Sequence, residues 1–100
     1  MTEVARYAKA KARPGRGQEL ADVLLAAAAE LRSDPGCLLY LINRQAGEPD
    51  LIWVTELWRD QAALDASLDR IRGSESVSTA MALVEDWQMI ELEQLGGKRA

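Results

Sequence analysis

The chain is 100 residues long, 48% hydrophobic, with a formal net charge of −4 and a pI near 4.8. This is the size of one domain with a modest core, and its acidity argues against nucleic acid as a partner. It has no histidine and a single cysteine, Cys37. That excludes Ser-His-Asp and Cys-His catalysis, the usual zinc ligand sets, a proximal heme ligand and any intrachain disulfide. Lone-thiol usage fits a reducing, cytoplasmic setting, and no apolar run is long enough for a signal or a membrane span.

Val4–Arg13 is expected to be the first strand. Val4, Ala8 and Ala10 form one set and Tyr7, Lys9 and Lys11 the other, but Arg6 falls on the apolar set. Charge is uneven, with residues 1–16 at +4 and the remainder at −8. Such a basic stretch reads as a solvent face or as a docking surface for an anion. Pro14-Gly15-Arg16-Gly17 breaks the strand. Gln18–Arg32 has helical spacing, with Leu20, Val23, Leu24, Ala27, Ala28 and Leu31 on one stripe. The alanine run Ala26–Ala29 is expected to let that stripe approach a sheet closely.

Cys37–Gln45 reads as a second strand, followed by the polar turn 46–50 and the strand Leu51–Trp58. If that hairpin is centred on Glu48, Tyr40 lies opposite Glu56, Asn43 opposite Trp53, and Leu38 opposite Trp58. The third strand is apolar on both alternating sets, so both of its faces are expected to be covered. Asp60 is placed to cap a helix carrying Leu64, Leu68 and Ile71, with Ser67 one turn from Leu64. A short third helix is expected from about Ser76, and Asp86–Leu95 closes the chain as a strand. The domain is expected to span residues 1–95, with 96–100 as a flexible tail.

The order β-α-β-β-α-(α)-β predicts an α+β, ferredoxin-like split βαβ fold: a four-stranded antiparallel sheet with its helices on one face. The other face is apolar as well and requires a cover that this chain does not supply. A homodimer packed sheet to sheet is the expected solution.

Pro35-Gly36-Cys37, with Tyr40 three residues on, and Glu56-Leu57-Trp58 leading to Ala62-Ala63-Leu64-Asp65-Ala66, resemble the antibiotic biosynthesis monooxygenase family of dimeric α+β barrel proteins. The resemblance implies oxygenation of quinol, anthrone or aromatic polyketide substrates by O2, without metal, heme or flavin. It places Trp58 at the site. It also aligns Val54, Leu64 and Ser67 with positions where members often carry asparagine, tyrosine and histidine. The heme-degrading branch of the superfamily needs an axial histidine, which this chain lacks.

From the residues themselves, Trp58 can stack on a planar ring and donate its indole N–H to a carbonyl. Glu56, the only carboxylate inside the central strand, is a candidate general base whose pKa burial would raise. Tyr40 can bond Glu56 or a substrate oxygen. Asn43 joins Val54, Leu64 and Ser67, which the resemblance places at the site, in the candidate substrate-binding set. Each has a plainer reading: Trp58 as core filler, Glu56 as a structural carboxylate satisfied by Tyr40 or Arg6, Asn43 on the opposite face or at the hairpin end, Ser67 as an ordinary helix position, and Cys37 as a small buried hydrophobe. Two function classes follow, a cofactor-free oxygenase and a non-catalytic small-molecule-binding dimer on the same scaffold.

Overall fold

The computed structural model describes residues 2–99; Met1 and Ala100, which belong to the expected domain and tail, lie outside the described residues. Eight segments follow in order: β1 (Val4–Ala12), α1 (Gly17–Glu30) with a 3-10 turn at Leu31–Ser33, β2 (Cys37–Arg44), β3 (Leu51–Trp58), α2 (Gln61–Ile71), α3 (Glu75–Leu83) and β4 (Val84–Glu93). The strands form one sheet in the order β2-β3-β1-β4, with every neighbouring pair antiparallel. This is the expected α+β ferredoxin-like arrangement. No helix among the described residues is long and apolar enough to cross a membrane.

The hairpin register holds along most of its length: Tyr40 lies opposite Glu56 and Asn43 opposite Trp53. It slips at the far end. An irregularity between Cys37 and Leu39 puts Cys37, not Leu38, across from Trp58. One extra residue on β2 accounts for the shift, as in a β-bulge.

The helix-covered face of the sheet buries Ala8, Ala10 and Ala12 of β1 and Ile52, Val54, Glu56 and Trp58 of β3. Two apolar clusters lie on it. One joins those alanines, Ile52 and Val54 to Leu20, Ala21 and Leu24 of α1 and to Leu83 and Val84. The other joins Trp58 to Ala63 and Leu64 of α2, with Leu31 packed beside them. The alanine run of α1 does not become the close contact expected of it. Full burial stops at Leu24; Ala27 and Ala28, on the stripe, are half-buried, and Ala26 and Ala29 are exposed. The stripe meets the second cluster at Leu31.

No element among the described residues covers the opposite face. Leu39, Leu41, Trp53, Tyr7, Ile90 and Leu92 are large and exposed there, Ile90 at 60%. Lys9 stands over the Trp53 ring, 5.7 Å from its centroid. The expectation that β3 is covered on both sides therefore holds for one side of a single chain only.

Two glycines lock the connections. Gly36 donates its N–H to Asp34 Oδ1 at 2.9 Å, and its carbonyl accepts from Arg59 N–H at 2.9 Å. A Cβ on Gly36 would stand 2.6 Å from Ala63 Cβ. Arg70 on α2 also pairs with Asp34. The turn before β2 is thus fastened to α2 by backbone, side chain and close packing together. At the other end of the sheet, a Cβ on Gly17 would stand 2.1 Å from the Pro49 carbonyl oxygen.

Candidate functional site

Strand alternation puts Glu56 on the helix-covered face between Val54 and Trp58, so one carboxylate separates the two apolar clusters. The register then builds a polar row across the sheet. Tyr40 of β2 lies opposite Glu56, Glu56 opposite Arg6 of β1, and Arg6 opposite Glu91 of β4. Glu56 and Arg6 are each 7% exposed, and Trp58 is 2% exposed.

The carboxylate is held from two sides. The Trp58 indole N–H donates to Glu56 Oε1 at 2.9 Å. Arg6 Nε stands 3.9 Å from the same oxygen. Tyr40 is a neighbour, but the hydrogen bond to the carboxylate comes from the indole. Burial raises the Glu56 pKa above the ordinary carboxylate range, and the Arg6 charge and the Trp58 N–H only partly offset it. Burial also pushes the Tyr40 phenol up to about 12, helped by the nearby Glu56 charge. Tyr40 therefore stays protonated and is a hydrogen-bond donor at any working pH.

Around this row stand most of the residues expected from the sequence. Leu64 packs on Trp58 within one apolar cluster, and Val54 lies in the other. Tyr40 touches both clusters, bridging them beside Glu56. Ser67 is 5% exposed on the same buried face of α2 as Ala63 and Leu64.

Asn43 takes the plainer of its two expected readings. It is exposed and shares the uncovered face with Trp53, because it is three positions from Tyr40 and alternation turns it away from Glu56. The indole N–H of Trp58 is a difference, since it serves Glu56 where the sequence reading offered it to a substrate carbonyl. Cys37 is half-buried, and burial pushes its thiol up, away from the reactive thiolate.

Arg6, one of the two partners expected for Glu56 as a structural carboxylate, does stand beside it, although it was not among the candidate site residues. Met89 was not foreseen at all: its Sδ accepts from Arg6 Nε at 2.9 Å, a pairing that depends on β1 and β4 becoming neighbours. Two surface concavities lie away from this row. One of about 710 Å3 runs between α1 and α3, past Arg16, Glu19, Glu75 and Ser78. The other, of about 430 Å3, lies against the C-terminal segment.

Among solved structures, a protein from Chloroflexus aurantiacus described as a candidate antibiotic biosynthesis monooxygenase is 28% identical, covers 97% of each chain and superposes with a TM-score of 0.83. PA3566 from Pseudomonas aeruginosa is 27% identical over 96% of this chain and 97% of its own, with a TM-score of 0.81. A protein from Deinococcus radiodurans of like description is 23% identical over 97% and 95% of the two chains, with a TM-score of 0.81, and speaks for the fold alone. No curated protein matches the chain. The family model for antibiotic biosynthesis monooxygenase matches residues 4–82. That match takes in β1, the hairpin, α2 and most of α3, and with them the Tyr40–Glu56–Arg6 row and Trp58. The chain belongs to the antibiotic biosynthesis monooxygenase family.

Proposed function

We propose that this protein is a cofactor-independent monooxygenase acting on quinol, anthrone or related aromatic polyketide-type molecules, with Glu56 as general base. Family membership supports the monooxygenase-like role. The single observation that carries the assignment to Glu56 is its position: a buried carboxylate of raised pKa on the helix-covered face, oriented by an indole N–H and set beside a protonated tyrosine. A base that has lost part of its hydration and is held in one orientation suits removal of a proton from carbon or oxygen.

In an anthrone, Glu56 takes a proton from the ring methylene, and the electron pair is delocalised onto the carbonyl oxygen. The resulting electron-rich anion reduces O2, and a C–O bond forms. Breakdown of the peroxide leaves a new carbonyl and one water, so CH2 and O2 become C=O and H2O. Tyr40 donates to a substrate oxygen. Trp58 acts through the carboxylate as a positioning residue, and Leu64, Val54 and Ser67 shape the wall. The basic function of the protein in this reading is to strip a proton from a flat substrate away from water.

The uncovered sheet face belongs to the same reading. Six large apolar side chains on one side of a four-stranded sheet call for a partner, and a second copy meeting it face to face gives a homodimer. The alternative is a non-catalytic small-molecule-binding dimer. It draws on one observation, that Glu56 is already satisfied by Trp58 and Arg6, as a structural carboxylate would be.

Oxygen uptake by metal-free protein with a panel of anthrones and naphthoquinols separates the two. The oxygenase reading expects uptake with at least one member, reduced in Glu56→Gln by about 10²-fold or more. Binding without uptake across the panel would favour the accessory dimer.

A further inference from the structure

Arg6 is the least satisfied charged group in the interior. Its side chain is 9% exposed. Its only hydrogen bond among the described residues runs from Nε to a thioether sulfur, a weak acceptor. Its only ion-pair contact, with Glu56, is made by that same Nε at 3.9 Å. The two terminal nitrogens, with four N–H donors between them, make no hydrogen bond among the described residues. No fully buried side-chain nitrogen or oxygen among the described residues lacks a hydrogen bond. The terminal nitrogens are therefore the part of Arg6 that still reaches open space.

On the side away from Glu56, Arg6 is flanked by β4. Trp87 lies opposite Ala10, Met89 opposite Ala8 and Glu91 opposite Arg6, which puts all three on the helix-covered side of the sheet. None of the helices covers them: Trp87 is 40% exposed and Met89 38%. The result is a shelf with an indole and a thioether along it, and at its inner end the guanidinium fork of Arg6, beside which the Glu91 carboxylate is the competing anion. A flat aromatic ring suits the shelf. An oxyanion suits the fork, since paired N–H groups match oxygen lone pairs in one plane.

We propose that Arg6 is the anion-binding residue of this site, recognising the oxyanion of a planar aromatic ligand that lies against Trp87 and Met89. The inference rests on the oxygenase reading for the aromatic class of the ligand and adds the required charge and the route of approach. Its logic is one of charge exchange. When a substrate proton moves to Glu56, the carboxylate becomes neutral and the electron pair stays on the substrate oxygen. Arg6 then loses its protein counter-charge as the ligand acquires one, and the net charge of the pocket does not change.

The test compares two naphthoquinones of the same skeleton by calorimetry at neutral pH. In 2-hydroxy-1,4-naphthoquinone the hydroxyl is ionised, and in 2-methoxy-1,4-naphthoquinone it cannot be. Wild type is expected to bind the anion at least about tenfold more tightly, as a charged hydrogen bond implies. Arg6→Met should bring the two within about twofold, and Arg6→Lys should retain part of the preference. If Arg6→Met does not fold, wild type is titrated to a pH at which the hydroxyl is protonated, and the preference must disappear. Equal affinity of wild type for both quinones, or a preference that survives in folded Arg6→Met, overturns the proposal. Arg6-dependent anion binding without oxygen uptake would retire the oxygenase and leave the anion site standing. Oxygen uptake unaffected in Arg6→Met would do the reverse.

Discussion

Burial outweighs both the Arg6 charge and the Trp58 N–H at Glu56, and the resulting upward pKa shift has consequences for stability and for rate. A carboxyl whose folded pKa exceeds its unfolded value binds its proton more tightly in the native state. Its contribution to stability is complete below the ordinary carboxylate range and is lost as pH rises through the raised value. Thermal melts across that window should show wild type losing stability relative to Glu56→Gln, whose side chain does not titrate. Oxygen uptake should rise over the same interval, because the base must be ionised. Trp58→Phe removes an N–H that lowers the Glu56 pKa, so its pH–rate profile should move to higher pH. An unshifted profile in a folded Trp58→Phe would show that the indole does not act through the carboxylate. Much of this grouping could be read beforehand. Alternation put Glu56 and Trp58 on one face, and a symmetric hairpin put Tyr40 beside them. Arg6 was readable as a charge out of phase and as a partner for Glu56, but its bond to Met89 was not, because that depends on β4 becoming its other neighbour.

The connections between elements carry two further expectations. Helix α1 starts after Arg16, which supplies no side-chain cap. Instead Asp50, at the threshold of β3, accepts from Gly15 N–H and Gly17 N–H at 2.9 Å each. A residue 33 positions away thus does the work of an N-cap. Asp50→Ala should cost about 1–2 kcal/mol in denaturant unfolding, the range for losing a cap. Gly36→Ala must force its Cβ against Ala63, and a loss of about 1–3 kcal/mol is expected, the scale of overpacking. A melt of Gly36→Ala equal to wild type would show that the turn and α2 can part without cost. The Asp60 cap of α2 was visible in the sequence because its oxygen and the N–H of Ala63 are three residues apart. The Asp50 cap was not, because it is made across the fold. The slip at Leu38 escaped for a similar reason, since a hairpin counted outward from its turn has no local sign of an irregularity at the far end.

Among the described residues one sheet face is bare, and an expectation for behaviour in solution follows. A monomer would expose Tyr7, Leu41, Trp53 and Ile90 side by side. Sedimentation at micromolar concentration should find a dimer, and Ile90→Glu combined with Leu41→Glu should split it without unfolding the helix-covered core. A wild-type monomer would contradict this. The bare face was legible in the sequence as a strand apolar on both sets, although one chain can show only that the second face lacks a cover, not what fills it. The most direct measurement is oxygen uptake against pH for metal-free wild type and Glu56→Gln with one anthrone. If Glu56 is the base, wild-type uptake rises with a midpoint above the ordinary carboxylate range and the Gln variant is slow and flat. Equal rates in the two proteins, or a wild-type profile with no such rise, would contradict that role.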